Sequence, residues 1–429
     1  MSFLKRIVDN LLAFLAKKIV KKYKPQIIGI TGSMGKTSAK EAVFSVFEGR
    51  GNVRSNIKNY NTEIGLPLTI INAYAGGKNP LAWLLIFIKA CGLLFFKDKN
   101  YPTVLILEMG ADHPGDIQHL VTIAPCDIAV VTTVGETHLE FFGDINNVKT
   151  EKEILVTHLN SKAVAILNRD DKLVWDMRQS TRAKVLTFGF DMEADFRAGD
   201  LIYQQNETGQ FSHLSFKIFY QSQTISVNTK HCIAKSHIYA FLAGVAAGVA
   251  YGFNFGEVVA KLEAFKPPKG RMNLIDGIKR TQIIDDTYNS SPQAAMAALE
   301  VLKQLPNQGR KVAVLGDMLE LGVESENLHE MVGVKAGEIK LDLLITYGER
   351  ARAIGRGAKR ASLTTDNVFS FTDQEQTGRF IQDRIVAGDL ILIKGSQGMR
   401  MEKIVKEIMA EPLLADQLLV RQEDEWIKI

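Results

Sequence analysis

The residues with the strongest chemical signal are Thr31-Gly32-Ser33-Met34-Gly35-Lys36-Thr37, which follow the apolar run IIGI and open directly into SAKEAVFSVF. Glycines let the backbone turn tightly, so that successive N–H groups and the start of a helix face a polyphosphate. Lys36 can then neutralise phosphate charge, and the Thr37 hydroxyl can hold Mg²⁺. The strict phosphate-loop spacing asks for glycine five residues before Gly35, where this chain has Ile30. A plain glycine turn between strand and helix is the alternative, but strand, GKT triplet and helix coincide. Two further strand ends carry metal-binding types. The run Val104 to Leu107 delivers Glu108, and Ile128 to Thr132 opens into Gly135-Glu136-Thr137-His138. Open parallel sheets bind ligands at the carboxyl ends of their strands, and a carboxylate there can take Mg²⁺ directly or through water. Taken alone, an acidic residue after a strand is more often a cap or a solvated group.

Positioning these residues calls for short buried strands alternating with helices. The runs Gln26 to Ile30, Val104 to Leu107, Ile128 to Thr132 and Ala163 to Leu167 predict one parallel sheet covered by helices. The alternation from Asp195 to Val227 predicts antiparallel strands at its side, followed by an Ala/Gly-rich helix over His237 to Tyr251. Phe265 to Arg271 (FKPPKGR) cannot continue a helix and reads as a linker. Beyond it, strands at 282–286, 311–315, 342–347 and 389–393 alternate with helices from 292, 325 and 399. The expected fold class is α/β: a phosphate-loop parallel-sheet domain over 26–268 and a Rossmann-like doubly wound domain over 269–429, preceded by a basic amphipathic helix over 1–25.

With 429 residues, of which 46% are hydrophobic and 23% charged, the chain can bury more than one core. A formal net charge of +4, without zinc spacing or a basic-aromatic stripe, excludes nucleic acid as a partner. Cys91, Cys126 and Cys232 form neither a disulfide framework nor a CxxC pair, which fits a cytoplasmic setting. Residues 1–24 combine lysines with an apolar helical period and predict a helix packed on the protein's own body. The sharper alternative is a helix lying on an anionic membrane. Leu81 to Phe96 is apolar but too short to cross a bilayer, and is expected as a buried or interfacial helix. Together these segments raise a peripheral contact at the inner face of the membrane.

The phrase TGSMGKTS resembles the loop of Mur ligases and folylpolyglutamate synthases, and EMGADHPGDI with THLEFFGDINNVKTEKEIL resembles Mur ligase motifs closely. The resemblance runs over about 26 to 410. It implies that Glu108 and His138 hold magnesium and that Lys152, with Lys149 nearby, is carbamylated, which turns an ammonium into an anion able to orient a metal. Asn61 and Thr62, in NYNTEIG, are similar to the loop that meets the carboxyl substrate. Gly270-Arg271 and Asp285-Asp286-Thr287-Tyr288-Asn289 resemble the GR and DD-[ST]-YN motifs, which implies that Arg271 reaches the nucleotide phosphates and that Asp286, beside Asn289, reaches the ribose. Gly316-Asp317-Met318-Leu319-Glu320-Leu321-Gly322 and Lys394-Gly395-Ser396 resemble phrases of the MurF branch, whose last domain binds D-alanyl-D-alanine. Asp317, Lys394 and Ser396 are therefore candidate substrate residues.

Some positions depart from the family pattern. Only about 25 residues precede the first strand, where MurF enzymes carry a UDP-binding domain, so the usual UDP grip is expected to be missing. The HN-xx-N helix of the family reads His237-Ile238-Tyr239-Ala240-Phe241, a second asparagine is replaced by Ser291, and the 81–96 stretch is an insertion. The expectation is a monomeric ligase that uses ATP and Mg²⁺. It activates a peptide or muropeptide carboxylate as an acyl phosphate and couples it to a dipeptide amine, with Lys36, His138, Lys152 and Arg271 as the catalytic set. A ligase for a glutamyl peptide, or an ATP-binding scaffold at the membrane that has lost turnover, are the competing readings.

Overall fold

In a computed structural model, which describes residues 3–57, 60–135, 139–423 and 426, the chain forms two compact units. The first comprises residues 1–201, 216–227 and 235–265, and the second 202–215, 228–234 and 266–429. In sequence order the elements up to residue 265 are α1 (Phe3–Tyr23), β1 (Gln26–Thr31), α2 (Lys36–Phe47), β2 (Val53–Ser55), α3 (Gly65–Ile71), α4 (Pro80–Phe95), β3 (Val104–Glu108), α5 (Asp116–Ile123), β4 (Ile128–Val131), α6 (Leu139–Phe142), α7 (Ile145–Thr157), β5 (Val164–Asn168), α8 (Lys172–Asp176), β6 (Lys184–Gly189), β7 (Phe196–Gln205), β8 (Phe211–Tyr220), β9 (Gln223–Thr229), α9 (Lys235–Tyr251) and α10 (Phe255–Leu262). Their strands make one sheet in the order β2-β3-β1-β4-β5-β6-β7-β8-β9.

The pairs from β2 through to β7 are parallel. β3 and β4 are buried along their whole length because helices cover both faces, which is why they read as unbroken apolar runs. The turns at 206–210 and 221–222 are too short for a parallel crossover and join β7 to β9 as the expected side strands. From β1 the chain passes to β3 on one side and to β4 on the other. β1 therefore marks the switch point, outside whose carboxyl end a crevice must open.

Helix α1 buries Leu12, Leu15, Ala16 and Ile19 in the core that also holds Leu105 and Leu107 of β3, so it belongs to the first unit's body. The 81–96 stretch differs from a buried helix. Of α4 only Ile86 and Ala90 are buried, because α1 and α3 cover one narrow side of it. Among the described residues no helix is long and apolar enough to cross a membrane.

The second unit holds β10 (Asn273–Gly277), β11 (Thr281–Asp286), α11 (Pro292–Gln304), β12 (Lys311–Gly316), α12 (Ser325–Glu338), β13 (Leu343–Tyr347), α13 (Arg352–Arg360), β14 (Val368–Phe371), α14 (Gln374–Arg384), β15 (Leu390–Lys394) and α15 (Glu402–Ile408). The sheet order is β10-β11-β15-β12-β13-β14, parallel except for the antiparallel edge pair β10–β11. The edge strand β10 went unread in the sequence because NLIDG is short and only half apolar. Strands β11, β15 and β12 lie side by side at the centre, which brings the ends of the DD, KGS and GDM phrases together.

Candidate active site

At the switch point of the first unit, the loop after β1 is held by the loop after β4. Ser33 N donates to Thr133 O at 2.7 Å, Met34 N to Thr133 Oγ1 at 3.0 Å, and Gly135 N to Ser33 Oγ at 2.9 Å. Thr132 Oγ1 donates to Met34 O at 2.6 Å, and a side chain at Gly32 would collide with that hydroxyl. Gly35 caps α2 with φ 81°, in the left-handed region where a Cβ is strained. It brings no side chain of its own to the first turn of α2, whose N–H groups favour an anion. Lys36 Nζ folds back onto the loop, donating to Gly32 O at 2.7 Å and Ser33 O at 3.2 Å. Thr31 is buried and ties the loop to the end of β3 by donating from Oγ1 to Met109 O at 2.8 Å. Thr37 opens α2.

Glu108, at the end of β3, is 3% exposed. Asn61 Nδ2 donates to its Oε1 at 3.0 Å. Asn56 clamps its backbone, accepting from Glu108 N at 2.8 Å and donating to Glu108 O at 2.8 Å. Asn61, read from the sequence as a substrate contact, thus sits beside the acidic side chain, and Thr62 follows it half-buried before α3. Asn56 escaped the sequence reading, since one asparagine after a three-residue strand carries no signal.

Helix α7 separates the two lysines. Val148, Glu151, Lys152, Leu155 and Val156 share its buried face at helical spacing, whereas Lys149 lies outside that set and pairs with Glu153 at 3.7 Å. The Glu151 carboxylate accepts from Gly115 N at 2.8 Å and Ile117 N at 2.7 Å at the start of α5. Lys152 is 2% exposed. Burial, then the positive charge of Lys36, pull its ammonium down from 10.5 to about 7, against the opposing fields of Glu151 and Asp112. At neutral pH a large fraction of this amine is uncharged and nucleophilic. His138 lies outside the described residues.

In the second unit, Lys394 at the end of β15 is buried and pairs with Asp286, its register partner on β11, through Nζ to Oδ2 at 2.6 Å; it also donates to Asn289 O at 2.9 Å. Ser396 N donates to Asp317 O at 3.0 Å, and Leu319 N to Ser396 Oγ at 2.9 Å. Asp317 Oδ1 accepts from Ala351 N at 2.7 Å. His329 fixes the same loop: its Nδ1 meets Ser325 O at 2.6 Å, and its Nε2 accepts from Met318 N at 2.9 Å. Five of the sequence candidates, Asp286, Asn289, Asp317, Lys394 and Ser396, therefore form one network across three strand ends. Arg271 stacks its guanidinium 4.1 Å above the Tyr288 ring, at the base of the same motif.

Asp285 was not a candidate. It is fully buried on the opposite side of β11 from Asp286 in the strand's alternation. Burial raises its carboxyl from 3.8 to about 7, against hydrogen bonds from Thr287 and with the added charges of Asp286 and Glu402. Nothing in the DD pair itself says which aspartate faces inward.

The family model described as the Mur ligase middle domain matches residues 89–248, and that of the Mur ligase glutamate ligase domain matches 270–397. The UDP-N-acetylmuramoyl-tripeptide–D-alanyl-D-alanine ligase of Bacillus subtilis is 30% identical over 410 residues, covering 95% of this chain and 81% of its own length. The chain belongs to the Mur ligases, in the MurF branch. The enzyme of the same name from Escherichia coli is 27% identical, covering 94% of this chain and 81% of its own. The crystal structure of MurF ligase from Thermotoga maritima in complex with ADP superposes with a TM-score of 0.75 at 27% identity, over 93% of this chain and 83% of that one. Members of this family are ATP-dependent, ADP-forming ligases, and this chain is one.

Proposed function

We propose that this ligase joins D-alanyl-D-alanine to the terminal carboxylate of a muramoyl peptide, as the printed names of its relatives describe for them. The observation that carries the reading is the convergence of three strand ends on one crevice: the phosphate loop after β1, Glu108 after β3, and the 132–135 loop after β4.

The backbone N–H groups of 32–37 and the first turn of α2 receive the phosphates, and Lys36 turns from its own loop carbonyls to the γ-phosphoryl charge. That charge relief lets the peptide carboxylate attack phosphorus with ADP as leaving group, which gives an acyl phosphate. The amine of the dipeptide then attacks the acyl carbon, phosphate leaves, and an amide forms. Within the second unit, Arg271, Asp286 and Asn289 supply nucleotide contacts, and Asp317, Lys394 and Ser396 the hydrogen-bonding network for the dipeptide. Thr62 and Asn61 orient the carboxyl substrate.

The donors fit Mg²⁺, because Thr37 and Glu108 offer oxygen, the ligand type a hard cation takes, with His138 the third residue implied. When bound, the ion spreads the negative charge of the transferring phosphoryl group. Reaction of the uncharged Lys152 amine with CO₂ forms an N–C bond at the expense of one C=O π bond, releases one proton and turns a neutral group into an anion able to orient a cation.

The test is phosphate release with a MurNAc-tripeptide donor, with and without UDP, plus D-alanyl-D-alanine. Release that requires both the donor and the dipeptide is expected; none with either donor form refutes the reading.

A further inference from the structure

α4 is strongly apolar, yet it keeps Leu81, Leu84, Leu85, Ile88 and Phe95 in solvent, with Leu85 65% and Phe95 82% exposed. Their spacing (81, 84/85, 88, 95) makes one stripe along a helix about 24 Å long. Helix α1 packs beside α4 and adds a second exposed apolar set, Ile7, Leu11 and Phe14, at i, i+4 and i+7. The arrangement is locked. Lys22 Nζ donates to the carbonyls of Leu93 at 2.8 Å, Leu94 at 3.0 Å and Phe96 at 2.7 Å, and so caps the C-terminus of α4 from the end of α1. Tyr23 OH meets Leu93 O at 3.1 Å beside it. A face of this extent, held outward by specific bonds, marks an interaction surface.

Charge says what covers it. Residues 1–24 and 72–100 hold 11 of the chain's 52 Lys and Arg but only 2 of its 48 Asp and Glu, leaving 41 against 46 elsewhere. The excess positive charge of the protein is thus concentrated around the apolar face. Lys18, Lys21 and Lys97 lie exposed in these segments, and Lys18 Nζ stands 5.3 Å from the Phe14 ring, where the α1 stripe turns from apolar to basic. A second copy docked through the same face would bring these lysines against themselves. An anionic bilayer matches both halves of the surface: acyl chains for the leucines and phenylalanines, lipid phosphates for the lysines.

We propose that α1 and α4 form a platform that seats the enzyme flat on an anionic lipid bilayer, with both helices in the interfacial plane. None of the platform's residues is among the proposed nucleotide and peptide residues, so vesicle binding reads the surface and phosphate release reads the site.

The test is co-sedimentation of the full chain with vesicles of phosphatidylglycerol and phosphatidylcholine against phosphatidylcholine alone, with Trp83 emission on α4 followed in parallel. Binding to the anionic vesicles is expected, with a blue shift and loss at high salt. Leu85→Glu combined with Ile88→Glu should lower partitioning at least about tenfold, and Lys18→Glu with Lys21→Glu by roughly fivefold per lysine. Circular dichroism of both variants should match the wild type, since all four side chains are exposed. Failure of the wild type to sediment with anionic vesicles at low salt overturns the proposal, as does unchanged binding by either variant. Dimerisation that is lost in the leucine–isoleucine variant, without vesicle binding, would assign the face to a second copy instead.

Discussion

Replacing Asp285 by asparagine should stabilise the protein at alkaline pH and do almost nothing in acid. The carboxyl is fully buried. Its Oδ1 accepts from Thr287 N at 3.2 Å and Thr287 Oγ1 at 2.6 Å, while Oδ2 has no hydrogen-bond partner among the described residues. Burial lifts its pKa from 3.8 to about 7. A raised acid binds its proton more tightly in the folded state, so its contribution is fully present below pH 3.8 and is lost as pH rises through 7. The loss amounts to about 2 kcal/mol at pH 5 and about 4 kcal/mol at pH 8, taking 1.36 kcal/mol per pKa unit. An asparagine side chain in this place keeps the oxygen that Thr287 needs and has no charge to bury. Urea unfolding of wild type and Asp285→Asn at pH 4, 5 and 8, followed by circular dichroism, should show a stability difference that grows in favour of the variant by about 2 kcal/mol between pH 5 and 8. A difference that is flat across this range, or a wild type whose stability rises there relative to the variant, would refute the account of Asp285 as a carboxyl strained by burial.

Lys36→Ala should reduce phosphate release on the order of 10³-fold by removing the only side-chain charge within the phosphate loop; undiminished turnover would overturn the loop's role. Asn61→Ala removes the amide that orients Glu108, so the Mg²⁺ concentration for half-maximal activity should rise about 10- to 100-fold, and an unchanged Mg²⁺ requirement would separate Glu108 from the metal. With ¹³C-labelled bicarbonate near neutral pH, where roughly half of an amine of pKa about 7 is uncharged, the metal-free protein should give a carbamate carbon signal that is absent from Lys152→Ala. A signal that survives in the variant would place the modification elsewhere.

Much of the candidate site was legible because its parts are contiguous. TGSMGKT carries its own strand, turn and helix start, and the geometry found at Gly35 and Lys36 follows from that local order. GDM and KGS are also local phrases, each at the end of a buried run. The 81–96 stretch was expected as a buried or interfacial helix, and composition left those two open for a related reason. Apolar composition shows that a surface seeks a partner but not whether the fold provides one, and α1 and α3 cover only a narrow side of α4.

By itself the sequence determined the α/β alternation, the phosphate loop and the acidic and basic residues at the strand ends, because hydrophobic period and glycine placement act within a few residues. Tertiary structure alone decided which of these side chains meet. Strand order put Lys394 opposite Asp286, 108 residues away, and Asn61 on Glu108, 47 residues away. The rotation of α7 turned Lys152 inward and left Lys149 outside, and the pleat of β11 sent Asp285 into the core. Such pairings depend on which faces are covered and on the order in which strands assemble, and no short stretch of chain contains that information.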